Sequence, residues 1–310
     1  MGSIEMKPVA LSPELSTEEA FGQILAANFQ FMLEWAPIAY EGKDIEGVHQ
    51  VRVALRRLRS AVVVFRKAIP RTISDPWGEE MRWAAGELGT ARDLDVLISE
   101  GFAVMKDKIP LPEGEAKLLD IAKAKREQGY ERVRAMFDSE RYTAFREGFD
   151  QWLEQRGWYQ ADLEGVVREK MRASILRFAV KILGNRFGTV IGAGQDIGTL
   201  STTELHQLRI ECKKLRYATE FFTPLFNKKS MSDFNVHLKG LQGILGIMND
   251  VTVTHHLMES LLDGVADHET LLYAGALVGW RSRQYQELRG NLGPAWATFV
   301  SAPAPWVLNR

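Results

Sequence analysis

His49-Gln50-Val51-Arg52-Val53-Ala54-Leu55-Arg56-Arg57-Leu58-Arg59 returns later in the chain as His206-Gln207-Leu208-Arg209-Ile210-Glu211-Cys212-Lys213-Lys214-Leu215-Arg216. The offset is 157 positions (206 − 49), and the same shift carries Leu88-Gly89 onto Leu245-Gly246 and Asp93 onto Asp250. At about 100° per residue, Arg52, Arg56, Arg59, Arg66 and Lys67 fall to one side of His49, while Val51, Leu55, Leu58, Val62 and Phe65 fill the adjoining arc. In the second copy His206, Arg209, Lys213 and Arg216 share a face beside an apolar stripe of Leu208, Cys212, Leu215 and Phe222. Each stretch therefore reads as a helix that buries one flank and presents a ladder of positive charge on the next.

Such a ladder opposes its own folding, because like charges one turn apart destabilise a helix by a few tenths of a kcal/mol per pair. Residues 48–70 hold six Arg or Lys and no Asp or Glu, so the first helix cannot relieve itself. Two sources of negative charge are open: carboxylates on neighbouring helices, with Asp93, Asp95 and Asp250 the obvious three, or a bound phosphate-rich anion. Guanidinium forks match phosphate oxygens bidentately and lysines add point charges. Two copies of the ladder at one offset favour the anion. His49 and His206 open the ladders, where neighbouring cations should hold them neutral until an anion binds.

The rest of the chain reads as helical. Ser16 and Glu19 form a capping box ahead of a helix expected to reach Pro37. Further helices are expected over 45–69, from Asp75-Pro76 to Lys108, over 113–137 and over 141–156. The second half repeats the plan with helices over 163–187, from Ser201 to near Pro224, over 230–262 and over 267–289, and with a glycine-rich loop over 188–198. Near the end Phe145 and Trp152 match Phe299 and Trp306 at an offset of 154. No strand-period alternation is long enough to propose a sheet. The expected fold class is all-α: a tail over 1–16, a first bundle over 17–158 and a second over 159–310. Arg126 and Arg283 match at the same 157 offset, and with Arg66 and Lys67 they are candidates for secondary anion contacts.

Composition narrows the function classes. With 39 Lys and Arg against 40 Asp and Glu, the net charge is −1, so any polyanion must be met by segregated charge rather than by a generally basic surface. That balance, with no helix-turn-helix and no basic tail, makes nucleic acid the weaker alternative. A phosphate-chain hydrolase is a second alternative, but it needs carboxylates clustered for a metal or for acid–base work, and only Asp93, Asp95 and Asp250 suggest themselves. His255 and His256 are adjacent and expected to diverge on a helix, so no metal site and no cofactor are expected. Cys212 is the only cysteine and falls on the apolar face, which makes it a core residue. No apolar run is long enough for a membrane span, and the start Met1-Gly2-Ser3 has Met6 where a myristoylation signal wants Ser or Thr. A cytoplasmic location follows as the expectation.

The helix His-Gln-x-Arg-x-x-x-(Arg/Lys)-(Arg/Lys)-Leu-Arg, followed by Leu-Gly-x-x-x-Asp, resembles the CHAD-domain family of helical proteins. Both copies of both motifs are present, and the resemblance runs from about Phe21 to Trp306. It implies two four-helix bundles about a pseudo-two-fold axis, enclosing a basic channel that binds inorganic polyphosphate, with polyphosphate granules as a place of action. Carried over by position, the binding residues are His49, Arg52, Arg56, Arg57 and Arg59 with His206, Arg209, Lys213, Lys214 and Arg216. Arg57 and Lys214 sit off the charged face. Some members of the family carry a triphosphate-tunnel domain marked by Glu-x-Glu-x-Lys, and this chain is read as lacking it, so the resemblance implies binding without catalysis. Charge reversal at Arg52 and Arg209 is expected to weaken binding more than reversal at Lys106 and Lys108.

Overall fold

A computed structural model describes residues 4–6, 9–105, 108–159 and 163–307. Met1-Gly2-Ser3, Lys106 and positions 160–162 at the expected boundary lie outside the described residues. The first half holds α1 (Thr17–Glu41), α2 (Ile45–Phe65), α3 (Arg71–Glu87), α4 (Gly89–Val96), a π-helical stretch (Leu97–Phe102), the single turn α5 (Ala103–Met105), α6 (Pro112–Asp138) and α7 (Glu140–Glu154). The second holds α8 (Gly165–Arg172), α9 (Ile175–Ala193), α10 (Thr202–Phe222), a 3-10 turn (Thr223–Leu225), α11 (Lys228–Leu261) and α12 (His268–Ser301). Among the described residues there is no strand, only an isolated antiparallel bridge between Ser16 and Ser174.

Capping sets where the two halves begin their helices. The Ser16 hydroxyl accepts from the Glu19 N–H while the Glu19 carboxylate accepts from the Ser16 N–H, and Ser201 with Glu204 repeats the box ahead of α10. Asp44 caps α2 by accepting from the Glu46 N–H at 2.9 Å. Gly42 ends α1 with φ +68°, a left-handed turn that turns the chain from α1 into α2.

Several helix limits differ from those the sequence suggests, for identifiable reasons. α1 continues through Pro37 to Glu41, where burial of Ala39 beyond the proline outweighs one lost backbone hydrogen bond. α3 starts behind Pro70 rather than at Pro76, and the long third helix breaks at Leu88. The expected helix over 163–187 splits because Ala173 O accepts the Thr17 N–H at 2.9 Å and the Ile175 N–H donates to Leu15 O at 3.0 Å. Those bonds hold Ala173 extended. α9 then runs on to Ala193 through the glycine-rich stretch, because Val190 is buried there. α12 passes Pro294 and ends at Ser301, with Leu292 and Phe299 buried.

One apolar core runs through both halves. At its centre Phe21 and Phe65 meet their own repeat equivalents, Phe178 and Phe222. Phe65 lies 5.1 Å from Phe21, 5.1 Å from Phe178 and 5.9 Å from Phe222, and Phe178 lies 6.3 Å from Phe222. The offset aromatics also share a pattern: Trp77 packs on Phe149 and Trp152, and Phe234, its equivalent, packs on Phe299 and Trp306. A separate cluster joins Leu94, Leu118 and Ala122 of the first half to Met258, Leu261 and Tyr273 of the second. There α6 meets α12 so closely that a Cβ on Gly114 would stand 2.2 Å from Glu269 O.

Candidate functional site

The two basic helices are oriented by their apolar stripes. Val51, Leu55, Leu58, Val62 and Phe65 are buried along α2, and Leu208, Cys212, Leu215 and Phe222 along α10. Burial pushes the Cys212 thiol up to about 12, as befits a core residue. With these flanks fixed in the core, the charged flanks of α2 and α10 turn toward one another. A cavity of about 290 Å³ lies between them, lined by Arg56, Arg59 and Arg66 of α2 and its end, Lys213 and Lys214 of α10, Arg82 of α3 and Arg186 of α9. Its two carboxylates, Asp75 and Glu79, are each engaged by one arginine: Arg66 donates to Asp75 at 2.9 Å and Arg82 to Glu79 at 2.6 Å. Of the other five cations, Lys214 and Arg186 reach Glu211 beside the cavity, at 2.7 and 3.9 Å, which leaves Arg56, Arg59 and Lys213.

Pairing divides the sequence-predicted residues into two groups. Arg57 donates to Asn28 at 2.7 Å and to Glu220, Lys214 to Glu211 at 2.7 Å, and Arg216 stands 3.7 Å from Glu220. By contrast, among the described residues no carboxylate lies within ion-pair distance of Arg52, Arg56, Arg59, Arg209 or Lys213. The buried Nε groups of Arg56 and Arg209 have no protein acceptor, an arrangement that costs free energy unless something else accepts. Arg52 donates to Ala85 O at 2.6 Å. Asp93 and Asp250 do not pair with the ladders directly. They act at longer range, Asp93 supporting the charge of Arg52 and Asp250 that of Arg209.

Crowding of like charge shows in the titration of the site. Lys213 is pulled down to about 8, chiefly by burial and then by Arg209, Arg56 and Arg216, against a weaker pull from Asp250. Burial is also the main reason Arg52, Arg59 and Arg209 fall below the ordinary arginine value. His49 is lowered by burial and then by Arg92, with Arg56 and Arg52 adding and Glu46 opposing. Asp93 is raised, because lost solvation outweighs the nearby Arg52 and Arg92 and because Asp250 repels it. Every shift has the direction expected of a site that lacks negative charge or solvent.

Other expected residues lie elsewhere. Asp95, 1% exposed, accepts from Arg126 Nε at 2.6 Å and from the Tyr130 hydroxyl at 2.8 Å, a clasp between α4 and α6 and not a partner of the ladders. Arg283 is exposed and donates to Glu287 at 2.9 Å. His206 shares a 2.9 Å hydrogen bond with Asn249 in a different, mostly apolar cavity bounded by Leu245, Met248 and Tyr285. His255 and His256 do not diverge as expected: both turn toward Glu259, at 3.5 and 3.2 Å, on the exposed face of α11. The spacing Glu-x-Glu-x-Lys does occur once, as Glu113 to Lys117 in the first turns of α6, where Lys117 pairs with Asp267 at 2.7 Å. It is helical there and far from a tunnel strand in kind.

Sequence reasoning missed Arg82, Arg92 and Arg186. Arg92 had a signal, since it precedes Asp93 inside the repeated Leu-Gly motif, but the second copy carries Asn249 at that place. Arg82 and Arg186 carried none, because each reaches the groove from a helix without a ladder.

Comparison with known proteins follows the same lines. A family model described as the CHAD domain matches residues 23–259. Among solved structures, the crystal structure of the CHAD domain from the plant Ricinus communis is 26% identical, with 97% of each chain covered and a TM-score of 0.81. PptA from Streptomyces chartreusis, 14% identical over 91% of this chain and 100% of its own, has the same fold with a TM-score of 0.70. No curated protein matches the chain.

Proposed function

The chain belongs to the CHAD-domain family, and from that premise we propose that it binds linear inorganic polyphosphate in the groove between α2 and α10, without hydrolysing it. The observation that carries the reading is the set of ladder cations left unpaired by the fold: Arg52, Arg56 and Arg59 from one copy, Arg209 and Lys213 from the other. A fold that needed these residues for stability would have given them carboxylates, as it gave Arg57 and Lys214. A flexible phosphate chain supplies one negative charge per repeat at a spacing that a ladder of guanidinium and ammonium groups can follow. His49 and Arg92 extend the first ladder, and Arg216 the second. The Phe21, Phe65, Phe178 and Phe222 group, together with the Ser16–Ser174 bridge between equivalent helix starts, supports a two-fold relation between the halves. Both ladders then face one ligand. Recruitment to polyphosphate-rich granules would follow from such binding.

Calorimetric titration with long-chain polyphosphate at two salt concentrations, with single-stranded and duplex DNA as competitors, tests the reading. Affinity should fall steeply with salt, by a log–log slope of roughly 0.7–0.9 per phosphate contact. Arg52→Ala with Arg209→Ala should lower both affinity and slope, whereas Lys239→Ala on the exposed face of α11 should change neither. Weak binding, or DNA competing on equal terms, would assign the ladders to another anion. Orthophosphate released in the presence of Mg²⁺ would replace binding with hydrolysis.

A further inference from the structure

The groove has a neighbour. A second cavity of about 360 Å³ opens between the end of α2, the start of α3 and the middle of α9, and its charged lining is Arg66, Lys67, Arg71, Arg186 and Lys214. No carboxylate lines it. Arg66, Arg186 and Lys214 line the groove as well, so they form a wall common to both cavities. Lys67 and Arg71 are exposed at its far side, and among the described residues neither has an ion-pair partner.

The repeat shows that this cavity is not an automatic by-product of the ladders. In the other half the offset positions of Arg66, Lys67 and Arg71 are Thr223, Pro224 and Lys228. Those of Arg186 and Lys214 are Phe29 and Arg57, and Arg57 is taken up by Asn28 and Glu220. One side of the molecule therefore continues the cationic lining past the ladders, and the other keeps only Lys228 and the engaged Arg57. Resting on the proposed polyphosphate reading, we infer that the second cavity is a one-sided extension of the groove, which takes the next phosphates of the same polymer as it leaves the ladders. Asp75 holds Arg66, and Glu211 holds Lys214 and stands 3.9 Å from Arg186, so this wall is fixed in place; its unpaired neighbours among the described residues are the ladder cations on one side and Lys67 and Arg71 on the other. An anion crossing from one cavity to the other passes the same wall throughout, which argues for a continuous polymer over a separate compact ligand. Short chains occupy the groove alone. Long chains occupy both, and their second contact forms at the high effective concentration set by the first.

The double variant Arg71→Glu, Asn185→Asp tests this. Both side chains are exposed, and a glutamate in the first turn of α3 favours the helix dipole, so the fold is retained. Wild type and variant are titrated with tripolyphosphate, long-chain polyphosphate and phytate. The expected result is an affinity for the long chain reduced roughly tenfold, with a shallower salt slope, and an unchanged affinity for tripolyphosphate. Unchanged long-chain binding overturns the inference, as does an equal loss for both lengths. Loss of phytate binding alone would give the cavity to a compact polyphosphate and also overturn it. If wild type binds none of the three, the function reading fails first; if wild type binds and the variant cannot be told from it, the extension alone fails.

Discussion

Adjacent residues in the basic helices have opposite jobs. Arg56 faces the groove without an acceptor for its buried Nε, and Arg57, next along, is held by Asn28 and Glu220 with its side chain 16% exposed. Replacing Arg56 or Lys213 with methionine should therefore raise the melting temperature slightly, since it removes like-charge repulsion of a few tenths of a kcal/mol per pair. The same variants should lose polyphosphate affinity. Arg57→Ala should behave inversely, with about 1–2 kcal/mol less stability and binding within threefold of wild type. Thermal melts and titrations on the three variants check the contrast; parallel behaviour would contradict it. The groove should also sense pH. Lys213 lies near 8 and His49 below its ordinary value, while Asp93 is raised. A bound polyanion lifts all three, so each takes up a proton on binding and affinity is greater on the acid side. It should weaken as pH rises through about 8, where Lys213 loses its charge, and strengthen as pH falls below the ordinary histidine value of 6.5. Dissociation constants measured from acid to alkaline pH would refute this if they stayed flat or moved the other way.

At the scale of elements, the sequence was most legible where local chemistry decides. The Ser16–Glu19 capping box, the apolar stripes of α2 and α10 and the repeat itself could be read directly. The limits that escaped were decided by tertiary contacts: the bridge that splits α8 from α9, and the burial that carries α1 and α12 through their prolines. The same division holds for the site. Residues on the ladders were readable because one helix presents them, but Arg82 and Arg186 reach the groove from α3 and α9 and needed the packing to be seen, and Arg92 of α4 gains its meaning from its nearness to His49. Glycines make the point testable. Gly114→Ala would force a Cβ to 2.2 Å from Glu269 O between α6 and α12, and should cost about 1–3 kcal/mol. Gly184→Ala sits in α9 with nothing within 4 Å and should stabilise by about 0.5–1 kcal/mol. Denaturant midpoints of opposite sign are expected.

For the whole molecule, a net charge of −1 conceals a local excess: seven Arg or Lys and two carboxylates line the groove between α2 and α10. The halves are joined by the two apolar clusters and by polar ties between them, Arg57 to Glu220, Lys117 to Asp267 and the Ser16–Ser174 bridge. No helix among the described residues is long and apolar enough to cross a membrane. Cys212 gives a way to watch the joined state. It is the one thiol in the chain, buried on the back of α10 in the same turns as Arg209 and Lys213. An alkylating reagent can reach it only when α10 lifts from the core, so the labelling half-life is a clock for that opening. A ligand held by the front of α10 has to slow the clock by a factor of one plus its concentration over its dissociation constant. The sulfur that touches no phosphate would thus time the residence of the phosphate chain.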